Sequence, residues 1–244
     1  MNEQFIRETM ILGEEALKKL QLSHVAVFGI GGVGSFCAEA LARAGVGALT
    51  LVDDDVVAAS NLNRQLIALH STVGQYKAQV MADRIRDINP LCSVTVKTLR
   101  YEAENREEFF CVPFDYIADA IDSVTCKIDL IKTAMERDVP IISSMGTGNK
   151  LDPTKFEITD LSKTSGCPLA RVMRRELRAR GISHHTVLYS PEPPLKPAIS
   201  GQQEGVPVRS VPGSVSWVPS CAGLMIAGHV VQALLDDPMR DIPD

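Results

Sequence analysis

The chain has 244 residues, 45% of them hydrophobic and 23% charged, and a formal net charge of −5. The length suits one large domain or two small ones, and the near-average composition excludes a disordered or fibrous chain. The acidic balance excludes a generally cationic surface, so any nucleic-acid contact must come from a local patch.

Phe5, Ile6, Ile11, Leu12, Ala16, Leu17 and Leu20 recur at helical spacing and predict amphipathic helices at the start. The opening MNEQFIRETM has neither a basic region nor an apolar run, so no signal peptide is expected. Residues 25–28 predict a buried strand, 35–44 a helix, 48–52 a second strand and 77–88 a helix ended by Asn89-Pro90. Residues 94–99, 116–120 and 139–143 predict further strands, with a helix over 125–137 between the last two. Strands and helices alternating in this way imply an α/β, Rossmann-like, mainly parallel doubly wound sheet.

After Gly146 the pattern changes. A strand is expected over 156–159 and a helix over 169–180, stopped by Gly181. Residues 190–216 hold six prolines and three glycines, which predicts a long flexible loop. Residues 215–235 are long and apolar enough for a membrane check. Pro219, His229 and Gln232 interrupt them, so the reading is a buried or interface helix, and no membrane partner is expected. Residues 236–244 read as a frayed tail, and the whole of 1–244 as a single domain.

The six cysteines include no CxxC pair. A structural zinc site is therefore not expected, and scattered free thiols fit a cytoplasmic protein. A thiol role for Cys167 stands beside the commoner expectation of a packed side chain.

Gly29, Gly31, Gly32 and Gly34 lie in the run GIGGVG between a predicted strand and a helix. Such glycines let backbone N–H groups approach phosphate oxygens at a helix N-terminus, and Asp53 at the next strand end could hold ribose. Alone, this pattern also fits an NAD-dependent oxidoreductase, or a turn that only packs helix on strand. The residues downstream distinguish these readings. Asp53-Asp54-Asp55, then Asn61, Arg64 and Gln65, then Lys77 and Asp122, put cations and a carboxylate where strands end. Hydride transfer has no need of them, whereas an enzyme that joins AMP to a carboxylate must hold ATP and Mg2+ and stabilise a departing pyrophosphate. In that reading Arg64 and Lys77 contact phosphates, Asn61 or Gln65 orients phosphate oxygens, and Asp122 binds magnesium. The plainer alternatives are a solvated pair for Arg64 and Lys77 and a helix cap for Asp122.

The run GIGGVGSFCAEALARAGVGALTLVDDDVVAASNLNRQ, with Lys77 and Asp122, resembles the ubiquitin-activating E1-like superfamily over about residues 5–150. The resemblance implies Asp53, with Asp55, at the nucleotide, Arg64 and Lys77 on ATP phosphates, and Asp122 at the magnesium site. It also implies a homodimer in which Arg7 reaches the partner's active site, although Arg7 equally reads as an ordinary exposed arginine. SMGTGNKLDPT from Ser144, DLSKT from Asp160, Pro168-Leu169-Ala170, Pro212-Gly213-Ser214 and VPSCAGL from Val218 extend the likeness to an E1-like C-terminal extension. These segments resemble the tRNA threonylcarbamoyladenosine dehydratases, which use ATP to cyclise threonylcarbamoyladenosine at position 37 of tRNA with loss of water.

That likeness implies a partner tRNA carrying the modification, and a sulfur-transfer or cysteine desulfurase protein as a further partner. Arg171, Arg174, Arg175 and Arg178 recur at three- and four-residue spacing and would form an RNA-facing helix surface, or else a solvated one. Adenylation of the C-terminal glycine of a ubiquitin-like sulfur carrier is the alternative activity. A non-catalytic nucleotide-binding scaffold is the alternative of another class.

Overall fold

A computed structural model describes residues 3–196 and 212–235. Residues 197–211 of the expected loop and 236–244 of the expected tail lie outside the described residues. Seven strands form one sheet: β1 (His24–Phe28), β2 (Ala48–Val52), β3 (Ser93–Lys97), β4 (Tyr116–Asp119), β5 (Ile141–Ser144), β6 (Glu157–Asp160) and β7 (Thr186–Tyr189). Their order is β3-β2-β1-β4-β5-β7-β6. All neighbours pair in parallel except β6 and β7, which run antiparallel. The doubly wound expectation therefore holds, with an antiparallel strand closing one edge.

Helices α1 (Ile6–Leu12) and α2 (Glu14–Leu22) precede the sheet, followed by α3 (Gly34–Arg43), α4 (Lys77–Ile88), α5 (Val124–Glu136), α6 (Pro168–Arg178) and α7 (Trp217–Leu235). β1 shows why the sheet is covered twice. Val25 and Val27 enter one core with Leu41 of α3, Met81 of α4 and Ile226 of α7. Ala26 and Phe28 enter the other with Leu130 of α5 and Met173 of α6. Successive strand residues face opposite sides, so a strand buried on both needs an unbroken apolar run.

Strand β7 was not expected: its four residues lie between the arginine-rich helix and the proline-rich stretch. It pairs with both β5 and β6, which carries the sheet beyond the nucleotide-binding half.

Helix α7 is the single described helix long and apolar enough to cross a membrane, with 44% of its most apolar window buried. Val218, Ala222, Ile226, Val230 and Leu234 recur every four residues and are buried. A Cβ at Gly223 would stand 2.3 Å from the Val33 carbonyl oxygen, so glycine is what lets α7 lie directly on the start of α3.

Candidate nucleotide-binding site

The loop after β1 is shaped by steric need. Gly29 has φ +86°, and a Cβ there would meet the Ala120 carbonyl oxygen at 2.7 Å. At Gly34 a Cβ would overlap the Gly29 carbonyl oxygen at 1.7 Å, so the turn closes only with glycine at both positions. No side chain caps the start of α3, which leaves its N-terminal dipole and backbone N–H groups facing the cavity. Asp53 fixes the loop from β2: one carboxylate oxygen accepts from Ile30 N at 2.6 Å and the other from Asp55 N at 2.9 Å. Burial pushes the Asp53 carboxyl above the usual carboxylate range, opposed by the Lys77 charge and these two N–H groups.

A cavity of about 410 Å³ opens at the carboxyl ends of β1, β2 and β4, where the strand order reverses. This is the usual ligand crevice of an open parallel sheet. Gly29, Gly31, Gly32, Asp53, Asp55, Arg64, Gln65, Lys77 and Asp122 all line it, beside the apolar Val52, Leu99 and Ile121. Gly34 lies beneath, in the first turn of α3.

Lys77 Nζ donates to Asp55 Oδ2 at 2.6 Å, with the lysine side chain 8% exposed and the aspartate 67%. Arg64 Nη1 donates to the Ser60 carbonyl and to Asn63 Oδ1, each at 2.9 Å. Gln65 is buried and its Oε1 has no hydrogen-bond partner among the described residues. Asp122 is exposed at the rim, and Ser123, not Asp122, occupies the cap position of α5 without a side-chain bond. The capping alternative for Asp122 is thereby removed.

Several expected residues stand elsewhere. Asn61 is not among the cavity-lining residues: its Oδ1 accepts from Ala58 N at 3.0 Å and holds the preceding turn. Arg7 is exposed on α1, away from the cavity lining. Arg171, Arg175 and Arg178 are exposed on α6. Arg174 is half-buried and donates to the Thr164 carbonyl at 2.7 Å, so its charge is committed to an interior loop rather than to the arginine face. Arg175 in turn pairs with Glu176 at 2.7 Å. Cys167 is 3% exposed, a packed thiol at the start of α6.

Sequence reasoning missed the polar network beneath the cavity. Lys127 Nζ donates to Asp119 Oδ2 at 2.7 Å with both side chains fully buried. Ser143 Oγ donates to the same oxygen at 2.6 Å, and His185 Nε2 lies 2.8 Å from Ser143 Oγ. Because the serine proton points at the aspartate, its oxygen accepts, so His185 carries its proton on Nε2. Burial, reinforced by the nearby Lys127 charge, pushes the His185 pKa down to about 3. Asp119 Oδ1 accepts from Ile121 N at 3.0 Å, which fixes the strand end that carries Asp122. The spacing of Asp119 and Lys127 gives no periodic signal for this contact. Two ionisable residues flanking a predicted strand end were the one available hint.

The ThiF family model matches residues 5–243. A tRNA threonylcarbamoyladenosine dehydratase from Bacillus subtilis (strain 168) is 47% identical over 97% of this chain and 96% of its own length. The protein of the same name from Escherichia coli (strain K12) is 46% identical over 69% of this chain, which spans 63% of that relative. The crystal structure of the E. coli enzyme in complex with ATP matches with a TM-score of 0.86 at 36% identity, covering 96% of this chain and 94% of that one.

Proposed function

The chain belongs to the ThiF family, and from that premise we propose that it uses ATP to dehydrate N6-threonylcarbamoyladenosine at position 37 of tRNA. The observation that carries the chemistry is one cavity holding a glycine loop, the Asp53 carboxylate just after β2, and the cations Arg64 and Lys77. Relatives close over nearly the whole chain supply the substrate, since they are named for that reaction.

The reaction follows from the charges. A carboxylate is a poor electrophile. Its oxygen attacks the α-phosphorus of ATP, the bond to the β-phosphate oxygen breaks, and pyrophosphate leaves with the electron pair. A nitrogen of the same substituent then attacks the activated carbonyl, loses its proton, and AMP departs. The net change is loss of one water from the nucleoside. Because nucleophile and electrophile share one substituent, closure has an intramolecular advantage of up to about 7–11 kcal/mol over a bimolecular reaction. No protein nucleophile is required, which agrees with a buried Cys167.

In this reading the backbone of Gly29, Gly31 and Gly32 and the start of α3 cradle phosphate oxygens, and Asp53 accepts from the ribose. Arg64 and Lys77 stabilise charge on the α-phosphate and the departing pyrophosphate. Lys77 leaves an exposed aspartate to do so, at little cost because Asp55 is then free to hydrate. Asp122 offers a hard oxygen at the cavity rim that suits Mg2+. When bound, the ion would neutralise phosphate charge.

A homodimer fits the outer face of the N-terminal helices, where Met10, Ile11 and Leu22 are 78%, 76% and 86% exposed. Arg7 lies on the same helix as the first two, so a second copy seated there would bring it near an interface. Arg171, Arg175 and Arg178 would follow the tRNA backbone.

Pyrophosphate release tests the reading. Release that requires tRNA bearing threonylcarbamoyladenosine supports it. Release that requires a ubiquitin-like carrier protein would instead support sulfur-carrier adenylation, and no release with either substrate would support a nucleotide-binding scaffold.

A further inference from the structure

The geometry points to Asn63 as the positioning residue of Arg64, an inference that rests on Arg64 contacting ATP phosphates. A guanidinium carries five N–H groups in a rigid fork. The two on Nη1 are committed, one to the Ser60 carbonyl and one to Asn63 Oδ1, each at 2.9 Å. That leaves Nε and Nη2 for the cavity that Arg64 lines.

Asn63 is held from its other end. Its Nδ2 donates to the Ser214 carbonyl at 2.9 Å. The amide therefore uses both of its poles, accepting from the arginine and donating to a main-chain oxygen. Turning it over would set N–H against guanidinium and oxygen against oxygen, so its orientation is fixed by its partners.

Ser214 is itself well anchored. Its neighbour Gly213 exchanges two hydrogen bonds with Asn149, each at 2.7 Å: Asn149 N to the Gly213 carbonyl, and Gly213 N to Asn149 Oδ1. Trp217 Nε1 donates to the Leu151 carbonyl at 2.8 Å, and a Cβ on Gly32 would meet Pro219 at 3.2 Å. Asn149 sits at φ +58°, a left-handed position that asparagine tolerates better than most residues. Thr147, two residues before it, lines the same cavity as Arg64. Residues 212–219 thus join the arginine's turn, the loop after β5 and the glycine loop, and Asn63 is the side chain that passes this anchorage to the arginine.

The test is a double-mutant cycle read by equilibrium ATP binding, with thermal unfolding as a check on the fold. Asn63→Ala should weaken ATP binding roughly ten-fold, the effect of losing a hydrogen bond to a charged group. The same substitution in an Arg64→Ala background should have no further effect, because the asparagine acts only through the arginine. Asn63→Asp keeps an acceptor for Arg64 but loses the donor to Ser214 and adds negative charge beside the phosphates, so it should also bind ATP more weakly than the native protein. An undiminished ten-fold loss in the Arg64→Ala background, or near-native binding by either single Asn63 variant, overturns the inference. Near-native ATP binding by Arg64→Ala alone would instead overturn the phosphate-contact reading beneath it.

Discussion

Replacing Lys77 by methionine separates the chemistry of the site from its architecture. The lysine stem is buried at the start of α4, and its partner Asp55 is 67% exposed. Removing the ammonium leaves that carboxylate hydrated rather than stranded, so the lost ion pair is worth about 0–1 kcal/mol. Methionine keeps most of the aliphatic packing. Stability should therefore change by no more than about 1 kcal/mol. Turnover should fall much further. The loss of one preorganised group that stabilises transition-state charge costs roughly 10²–10³-fold, or about 2.7–4 kcal/mol. A subsidiary effect follows, because the Lys77 charge opposes the burial that raises the Asp53 pKa. Without it Asp53 should hold its proton to higher pH, and the residual activity should fail sooner on acidification than that of the native protein. Pyrophosphate release with modified tRNA at saturating ATP, alongside a thermal melt, measures both quantities. Turnover within about three-fold of native at an unchanged melt would refute the assignment of Lys77 to the phosphates.

Three further outcomes are expected. Neutralising Arg171, Arg175 and Arg178 together should flatten the salt dependence of tRNA binding by about two units of log–log slope and leave ATP affinity unchanged; Arg174→Met should instead lower stability by about 1–3 kcal/mol, because the Thr164 carbonyl loses its donor. An unaltered slope in the triple variant, or a stable Arg174→Met protein, would contradict this division. For His185, the ordinary pKa of 6.5 falls to about 3 on folding. Between those values the unfolded chain binds a proton that the folded chain does not, so this contribution is intact above 6.5 and is lost as pH falls, by roughly 1.4 kcal/mol per pH unit. His185→Gln can keep the donor to Ser143 without titrating. Denaturation at a series of pH values should show a shallower acid slope for the variant, and equal slopes would show that His185 does not titrate this way.

Much of the nucleotide-binding half was legible in the sequence because its signals are local. Residues 48–52 and 77–88 coincide with β2 and α4, and the glycine spacing alone locates the turn after β1. What escaped depends on contacts remote in sequence. Strand β7 is four residues long and becomes a strand by pairing with β5 and β6, which no periodicity within it reveals. Asn61 carries the chemistry expected of a phosphate contact, yet its oxygen serves its own turn, as asparagine often does. Arg174 shows the limit of spacing arguments. At about 100° per residue it lies roughly 65° from the centre of the buried stripe of Ala170, Met173 and Leu177, whereas Arg171, Arg175 and Arg178 lie roughly 105° or more away. Three- and four-residue spacing groups all four, and only the position of the buried stripe separates the inward one. The network from Asp119 to His185 joins two strands, a helix and the residue just before β7, so it exists only once the sheet order is known.

Mass spectrometry of nucleosides from tRNA bearing threonylcarbamoyladenosine, incubated with the protein, ATP and magnesium, tests the proposed reaction most directly. The expected product is that nucleoside lighter by one water, formed only when ATP is present. An unchanged nucleoside from active, ATP-binding protein would contradict the assignment and turn attention to carrier proteins as the carboxylate substrate.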